Sequence, residues 1–435
     1  MLAGVVTKIK LSKDSFFVLQ TFVCGIIKLG DDMERIIMHI DVNNAFLSWT
    51  AIDLLNKGYK TDIRNSFAVI GGDEKTRNGI VLAKSTPAKK LGIVTAETLY
   101  SARLKCKYLK VYPPNFKFYQ EMHNKFLKIL EKYSPDIEVA SIDECYLDYG
   151  KVKKLYGDEV EFAYKLKEEI KKELGFTVNI GIANNKLCAK MASDFSKPDK
   201  VHTLYEYEVK EKMWPLPIGD LFGIGRQTVP KLKALGIETI KDLANYDLVI
   251  LAKYFKNQAK KMIEIANGID YSIVDSSEYI PKGIGHEITL EKDVTDKEVL
   301  YKKLFLLSEM VGKRLRKQNQ YANVICVILK DNFFKRKSRQ RKLKNATDIT
   351  SEIYKISKEI LDEFYNGEAI RLIGIRLDDL VYESPYQTSL FDDLNKRDKE
   401  EKIDKVIDEI NTKLGKQAVK KASLVNTDIK RKELL

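Results

Sequence analysis

The sequence predicts a multidomain α+β protein, and three observations support this fold class. The chain has 435 residues, 44% of them hydrophobic, so several cores can form. Residues 35–212 mix strand-like and helix-like segments, whereas residues 286–380 follow the order strand, helix, strand, strand, helix, strand. The proline pair Pro215 and Pro217 separates the first region from the short helices and glycine turns of residues 218–272.

In the first region, apolar runs predict strands and amphipathic stretches predict helices. The expected strands are "RIIMHIDV", "SFAVIGG", "GIVLAKS", "DIEVASIDECYLDYG" and "FTVNIGIA". The expected helices are "AFLSWTAIDLLNKG", which ends at Gly58, "PAKKLGI", "AETLYSARLKCKYLK" and "EFAYKLKEEIKKELG".

The last third of the chain predicts one small α+β domain followed by a charged tail. Its segments are "HEITLEKDV", "KEVLYKKLFLLSEMVGKRLRKQ", "ANVICVILK", "RQRKLKNATDI", "SEIYKISKEILDEFY" and "IRLIGIRLDDL". The tail contains a helical "EEKIDKVIDEINTKLG". The expected boundaries are a leader at 1–32, a mixed region at 33–215, short helices at 216–275, a linker at 276–285, the α+β domain at 286–382 and the tail at 383–435.

Composition limits the partners and the compartment. A net charge of +13 and a pI of about 9.1 favour a polyanionic partner. Five scattered cysteines without a CxxC pair argue against a zinc ribbon or a disulfide framework and are typical of a reducing cytosol, so a cytoplasmic location is expected. No apolar run reaches the ~20 residues of a membrane span. Residues 1–32 resemble an atypical leader with Met33 as the natural start, or else an extra packed element.

Two adjacent carboxylates, Asp143 and Glu144, interrupt the apolar strand "ASIDECYLDYG". Neighbouring strand residues point to opposite faces, so both can serve one site only if the strand bends, as at a hairpin tip. Asp41 ends the strand "IIMHIDV", and pairing of the two strands would bring it beside Asp143. Clustered carboxylates need a cation, and hard oxygen ligands favour Mg²⁺ or Mn²⁺, two of which can drive phosphoryl transfer. The alternative is that these acids are ordinary strand-end residues.

Basic and glycine-rich stretches could contact phosphates. Gly223 and Gly225 lie between two short helices and can expose backbone N–H groups, although a plain helical turn explains them equally well. Residues 330–344, "KDNFFKRKSRQRKLK", carry eight basic residues and one acid. Such interleaving predicts a track for backbone phosphates, or alternatively a charged edge strand.

Five motifs in order give the chain a resemblance to a known family. They are "HIDVNNAF", "ASIDECYLD", "NIGIANNKLCAKMASDFSKP", "LFGIGRQT" and "LFLLSEMVGKRLRK". From about Met33 onward the chain resembles the Y-family DNA polymerases, the translesion type, in the bacterial DNA polymerase IV and UmuC group. The resemblance implies a right-hand polymerase with a palm, small fingers at about 53–112, a helical thumb containing a helix-hairpin-helix, and an α+β little finger.

The resemblance also implies roles for the palm residues. Asp41, Asp143 and Glu144 match the catalytic metal-binding acids, and the main-chain carbonyl of Val42 matches a further ligand of two Mg²⁺ ions, which Mn²⁺ may replace. Phe46 matches the steric gate that excludes a 2′-hydroxyl; otherwise it would be an apolar helix residue that packs with Trp49.

Further matches concern the nucleotide. Lys197 matches the family's palm lysine, and Ile80 and Leu82 match the roof over the nascent base pair, unless they are buried strand residues. Thr86 and Lys89 stand where the family often has Tyr and Arg on the triphosphate, so nearby Lys84 is a substitute for those contacts.

The expected partners are primer–template DNA, a deoxynucleoside triphosphate and the bacterial sliding clamp, and a monomer is expected. Gly223 and Gly225 match the thumb hairpin that grips the duplex. The expected little-finger contacts to DNA come from Lys335, Arg336, Lys337, Arg339 and Arg341. Gln387, Leu390 and Phe391 in "YQTSLFDD" resemble the peptide that docks on the clamp, the alternative being packing onto their own domain.

These observations predict a template-directed DNA polymerase that adds deoxynucleotides to a primer 3′ end, with low-fidelity translesion synthesis as its role. The alternatives are a metal-dependent nuclease or nucleotide cyclase and a catalytically silent DNA-binding scaffold. Phe46 and the thumb argue against a cyclase, and the intact set Asp41, Asp143 and Glu144 argues against a silent scaffold.

Overall fold

The structure, a computed structural model, describes residues 35–74, 77, 79–277, 280–383, 394–415 and 418–419. The expected leader at 1–32 and the expected start at Met33 lie outside the described residues. The described chain forms two compact units, residues 35–61 with 117–277, and residues 62–116 with those from 280 on. No helix in these ranges combines the length and the apolar character that crossing a membrane requires.

The described chain contains both strands and helices. The strands are β1 (Ile37–Val42), β2 (Ala68–Gly71), β3 (Val81–Lys84), β4 (Lys110–Tyr112), β5 (Ile137–Val139), β6 (Glu144–Asp148), β7 (Val178–Ala183), β8 (Val201–Thr203), β9 (Gly283–Val294), β10 (Tyr321–Asp331), β11 (Arg336–Thr347) and β12 (Ile370–Val381). The helices are α1 (Ala45–Asn56), α2 (Thr86–Lys90), α3 (Leu99–Lys105), α4 (Phe116–Glu131), α5 (Lys153–Tyr156), α6 (Glu159–Leu174), α7 (Lys186–Asp194), α8 (Val229–Lys233), α9 (Ile240–Ala244), α10 (Leu248–Phe255), α11 (Gln258–Ala266), α12 (Lys297–Lys317), α13 (Thr350–Phe364) and α14 (Leu394–Lys413).

The first unit is built on a five-stranded sheet with the order β5-β6-β1-β7-β8. The central strands β1 and β7 are buried along their whole length, as expected for strands covered on both faces. Helix α7 packs directly across β7 and β1. This contact requires Gly181, because a Cβ atom there would lie 2.0 Å from the Ala189 carbonyl oxygen on the helix.

The same unit continues into short helices after the proline pair. Helices α8 to α11 follow a 3₁₀ turn at Ile218–Asp220 and pack on a shared apolar core that includes Leu232, Leu243 and Leu251. The Trp214 indole N–H donates to the Ala266 carbonyl at 3.1 Å, which joins the start of this region to α11.

The second unit contains two sheets. A small sheet with the order β3-β2-β4 packs with α2 and α3 on a core that includes Val69, Val81 and Leu99. A four-stranded antiparallel sheet with the order β11-β10-β12-β9 is covered by α12 and α13. This confirms the predicted order of strands and helices in the α+β domain.

Helix α14, which the sequence predicts within a charged tail, packs on the α+β domain. Asp404 is buried and accepts a hydrogen bond from the Thr350 backbone N–H at 2.8 Å, and Arg316 binds Asp404 at 3.3 Å and Asp408 at 2.7 Å. Ser351 donates to Glu400 in the same interface. Polar contacts therefore fix this helix to α12 and α13.

Three helices were not predicted from the sequence, namely the four-residue α5 and the longer helices α4 and α7. Helix α4 follows the prolines Pro113 and Pro114 and buries Tyr119, Met122 and Phe126 at helical spacing. Helix α7 lies within a motif that was recognised only through the family resemblance, and its N-cap Asn185 accepts from the Cys188 N–H at 2.8 Å.

Candidate active site

The end of strand β1 brings Asp41 between two neighbouring strands. In the sheet register Asp41 lies opposite Glu144 on β6 and opposite Asn179 on β7. The Asp41 side chain shares one face of β1 with His39 because strand residues alternate. Both side chains are buried, with Asp41 only 6% exposed.

The segment that carries Asp143 and Glu144 bends into a hairpin tip. Strand β5 ends at Val139 and β6 begins at Glu144, and the Ala140 N–H donates to the Glu144 carbonyl at 3.0 Å. The Val42 N–H donates to the Asp143 carbonyl at 2.9 Å, which joins the tip to the end of β1. The predicted single strand is therefore two strands, and the predicted bend occurs at the two acids.

Each of these three acids accepts a hydrogen bond from a different donor. Lys197 contacts Oδ2 of Asp41, and its Nζ lies 2.8 Å from Oδ1 of Asp194. The Lys190 Nζ lies 2.6 Å from Oε1 of Glu144.

The third acid is bonded locally. The Ser141 hydroxyl donates to Oδ1 of Asp143 at 2.7 Å. Within the described ranges, no three His, Cys, Asp or Glu side chains are grouped closely enough to form a ready metal site. Strand pairing thus brings Asp41 and Glu144 together, whereas the Asp143 carboxylate is turned to its own hairpin.

Burial and the two lysines set the electrostatics of the site. Burial raises the pKa of Asp41 to about 7, against the opposing effect of Lys197. His39, whose Nε2 lies 3.7 Å from Oε2 of Glu144, and the Lys190 ammonium hold the pKa of Glu144 well below its usual range. Burial lowers the pKa of His39, and the Nδ1 of its ring pairs with the Ser193 hydroxyl at 2.8 Å.

Two buried asparagines hold the loop that carries Lys197. The Asn179 side chain donates to the Ser196 carbonyl at 2.6 Å, and the Asp199 N–H donates to the Asn43 side-chain oxygen at 2.8 Å. Asn43 and Asn179 are bonded to each other at 3.0 Å. The backbone on both sides of Lys197 is thereby fixed to β7 and to the end of β1.

Phe46 lies in the first turn of α1 and is half-buried. Its ring stacks on Tyr119 with centroids 4.8 Å apart and an interplanar angle of 10°. The hydroxyls of Tyr119 and Thr50 are 2.6 Å apart, and Thr50 also donates to the Phe46 carbonyl at 2.7 Å. Phe46 and Trp49 are also in ring contact, with centroids 6.2 Å apart, so the predicted packing with Trp49 occurs whatever the role of Phe46.

The four residues matched to the fingers lie in the second unit. Ile80 is 41% exposed, Leu82 is half-buried, and Thr86 and Lys89 are exposed on helix α2. The N-cap Ser85 accepts from the Ala88 N–H at 3.2 Å, which fixes this helix. The roles of these residues in binding a nucleotide stay predictions, as does that of Lys84, whose Nζ donates to Thr95 at 2.9 Å.

The glycine motif of the thumb forms a tight turn before α8. Gly223 has a φ of +93°, which only glycine adopts without strain. The Thr228 N–H donates to the Gly225 carbonyl at 2.8 Å, which closes the turn. Its contact with DNA stays a prediction.

The basic side chains on the two faces of strand β11 have different partners. Arg339 pairs with Glu363 at 3.0 Å, Arg341 pairs with Glu359 at 2.5 Å and with Glu363, and Lys337 donates to the Phe364 carbonyl at 2.7 Å. These side chains therefore face α13 and the turn after it.

On the opposite face, Arg336 pairs with Glu287 at 2.5 Å, whereas Lys342 and Lys344 are exposed, and the Lys342 Nζ lies 3.6 Å from Oδ2 of Asp379. Lys335 is exposed in the turn before the strand. Much of the predicted basic track is thus neutralised by acids of the same domain, and the exposed charge lies at Lys335, Lys342 and Lys344.

The predicted clamp-binding residues Gln387, Leu390 and Phe391 lie outside the described residues.

The candidate active site also contains residues that sequence reasoning missed, namely His39, Lys190, Asp194, Tyr119, Asn43 and Asn179. The sequence contains a weak signal for two of these residues, because Lys190 and Asp194 are four positions apart, as expected for neighbours on one face of a helix.

Comparisons with known proteins agree with this architecture. A model of the impB/mucB/samB family matches residues 40–194, and a model of its C-terminal domain matches residues 281–390. A model of the helix-hairpin-helix motif of the same family matches residues 208–237. The three matches cover the palm residues, the glycine turn and the α+β domain.

Curated relatives match almost the whole chain. DNA polymerase IV of Clostridium acetobutylicum is 46% identical over 92% of this chain and 100% of the relative. DNA polymerase IV 1 of Bacillus subtilis is 32% identical over 91% of this chain and 94% of the relative. A solved Y-family DNA polymerase chimera of Dbh and Dpo4 matches with a TM-score of 0.69 and 25% identity, over 80% of this chain and 100% of that chain.

The family models, the extent of the curated relatives and the structural match lead to one assignment. The chain belongs to the impB/mucB/samB family, that is, to the Y-family translesion DNA polymerases.

Proposed function

We propose that this DNA-directed DNA polymerase extends a primer 3′ end by two-metal phosphoryl transfer and serves in low-fidelity synthesis across damaged templates. The family supports DNA polymerase activity, binding of primer–template DNA and nucleotide, and a requirement for divalent metal in general. The observation that carries the mechanistic proposal is the register of β1 and β6, which sets Asp41 opposite Glu144 at the tip that also bears Asp143.

The donor set fits hard divalent cations. Asp41, Asp143, Glu144 and the Val42 carbonyl are oxygen ligands of the kind that Mg²⁺ and Mn²⁺ prefer. Asp41 is a buried carboxylate, which needs a positive partner. The hydrogen bonds from Lys197, Ser141 and Lys190 now engage oxygens that cations could take instead. We propose two Mg²⁺ ions as the natural cofactor, with Mn²⁺ as a substitute.

Bound cations would supply the Lewis acidity that activates the primer 3′-hydroxyl and neutralises the departing pyrophosphate. Asp41, Asp143 and Glu144 would hold them, and Lys197 would bind the triphosphate. In the reaction the 3′-oxygen bonds to the α-phosphorus, the bond from that phosphorus to the bridging oxygen breaks, and the hydroxyl proton leaves to solvent. Phe46, stacked on Tyr119, would bar a ribose 2′-hydroxyl.

We further propose that the enzyme is a cytoplasmic monomer. Its DNA grip would come from the thumb at 216–275, which contains the Gly223 turn, and from the little finger at 286–382. The nuclease and silent-scaffold alternatives predict, respectively, shortening of the primer and no reaction, so one assay separates all three.

That assay is primer extension with Mg²⁺ on an undamaged template and on a template with an abasic site. We expect extension of both by the full chain and a loss of at least about 1,000-fold in Asp143→Asn and Glu144→Gln, because a carboxylate oxygen that holds charge is removed. Unchanged DNA affinity of these variants in a gel-shift assay is the control. Full extension by both variants would contradict the metal-binding assignment.

Phe46→Ala should raise ribonucleotide incorporation at least about tenfold, because the space for a 2′-hydroxyl opens. The measurement is the ratio of kcat/KM for a ribonucleotide to that for the matching deoxynucleotide. Tyr119→Phe is the matched control, since it keeps the stacked ring and loses only the hydroxyl bonded to Thr50. An unaltered ratio in Phe46→Ala would refute the steric-gate assignment.

Replacing Lys342 and Lys344 together by alanine should weaken DNA binding at every sequence and lower the slope of log affinity against log salt by about 1 to 2. Arg341→Ala is the control, because its guanidinium already pairs with Glu359 and Glu363. We expect Arg341→Ala to affect thermal stability more than the salt slope. The reverse pattern would show that the face toward α13 contacts DNA.

We also propose that Gln387, Leu390 and Phe391 dock on the bacterial sliding clamp. Alanine at both Leu390 and Phe391 should abolish the stimulation of primer extension by added clamp while leaving clamp-free extension unchanged. Retained stimulation would count against docking through this segment.

A further inference from the structure

We propose that Lys197 and a divalent cation compete for the same oxygen of Asp41, and that the incoming nucleotide relieves this competition by giving the ammonium group a triphosphate to bind. The inference rests on the proposed metal site and concerns how that site is loaded. It predicts that the palm binds metal weakly alone and tightly together with nucleotide.

The competition follows from the contact between Lys197 and Asp41. Oδ2 of Asp41, an oxygen that a cation would require, accepts from the Lys197 ammonium. The carboxylate is only 6% exposed, so little water reaches it and a positive partner stabilises its ionised form strongly. A cation that binds Asp41 must therefore displace the ammonium group and overcome an existing ion pair.

Lys197 can leave Asp41 because only its side chain has to move. The adjoining backbone is fixed by the Asn179 bond to Ser196 and by the Asn43 bond to Asp199. The side chain itself is 37% exposed and already pairs with Asp194, which is 47% exposed, at 2.8 Å. Asp194 can thus keep the ammonium near the site while Asp41 turns to another partner.

Lys190 differs from Lys197 in ways that exclude it from the exchange. Its side chain is only 10% exposed, it bonds Glu144 at 2.6 Å, and it projects from helix α7, which packs on the sheet through Gly181. A soluble triphosphate has more access to Lys197 than to Lys190. A triphosphate oxygen also makes a strong charge-assisted hydrogen bond, which can replace the bond to Asp41.

The first test measures binding of Mn²⁺ to the full chain without nucleotide or DNA, from the free-ion EPR signal. Lys197→Met should bind Mn²⁺ about tenfold more tightly than wild type, in the range of ordinary coupling between sites. Lys197→Arg keeps the competing charge and should match wild type. Lys200→Met removes an equal charge from an exposed position three residues away and should change affinity less than about twofold.

The outcomes of this test distinguish a failure of the proposed metal site from a failure of the proposed exchange at Lys197. If Asp41→Asn does not weaken Mn²⁺ binding, the metal is not held at Asp41 and the proposed metal site fails. If Asp41→Asn abolishes binding but Lys197→Met leaves the affinity unchanged, the site stands and the exchange is wrong. An equal gain in Lys200→Met would reduce the effect to net charge and also overturn the exchange. Should Lys197→Met fail to fold by circular dichroism, Lys197→Gln replaces it, with a smaller expected gain.

A double-mutant cycle tests the nucleotide half of the proposal. In EDTA, binding of a fluorescent deoxynucleoside triphosphate is measured by anisotropy for wild type, Asp41→Asn, Lys197→Met and the double variant. Asp41→Asn should tighten binding because it frees Lys197, and the gain should vanish in the Lys197→Met background. A gain of equal size in both backgrounds would mean simple charge repulsion and would overturn the exchange.

Discussion

A carboxylate that is almost completely buried is unstable as an ion unless a positive group reaches it, and Asp41 is such a carboxylate. The surrounding structure meets this requirement with Lys197. The lysine arrives from a distant part of the chain, so its loop must be held, and the paired asparagines Asn43 and Asn179 hold it. The pairing of β1 with β6 and β7 thus positions Asp41 and Glu144. Through Asn43 and Asn179 it also positions Lys197.

The two lysines of the site satisfy different physical demands. Lys190 comes from the buried face of α7 and keeps Glu144 ionised in a fixed position. Lys197 comes from a loop, keeps part of its side chain in water and has two acids within reach. A polymerase that must admit and release a polyanion at every step benefits from one fixed cationic group and one that can change partner.

The sequence was sufficient where local pattern decides structure. Alternation along the predicted strand meant that Asp143 and Glu144 could share a site only at a bend, and the hairpin tip lies there. The order of elements in the α+β domain followed from periodicity alone. By contrast, the pair Lys190–Glu144 joins residues 46 positions apart and depends on how α7 packs across the sheet.

The partners of the basic residues in segment 330–344 could not be predicted for the same reason. Eight basic residues are visible in sequence, but the acids that pair with several of them, such as Glu287, Glu359 and Glu363, come from β9 and α13. Similarly, the sequence predicted only a charged tail that contains a helix, whereas Arg316, Asp404 and Thr350 form the interface of α14 with the domain. Counting charges does not reveal which of them face one another.

The docking of α14 makes the α+β domain depend on residues that follow its last strand. Strand β12 ends at Val381 and α14 begins at Leu394, and both belong to the same unit. Two carboxylates of α14, Asp404 and Asp408, bind the Arg316 side chain, which is only 9% exposed. A buried guanidinium that lost these acids would be an uncompensated charge, which destabilises a fold strongly. The helix therefore completes the fold of this domain, and a chain shortened before Leu394 would lose stability as well as length.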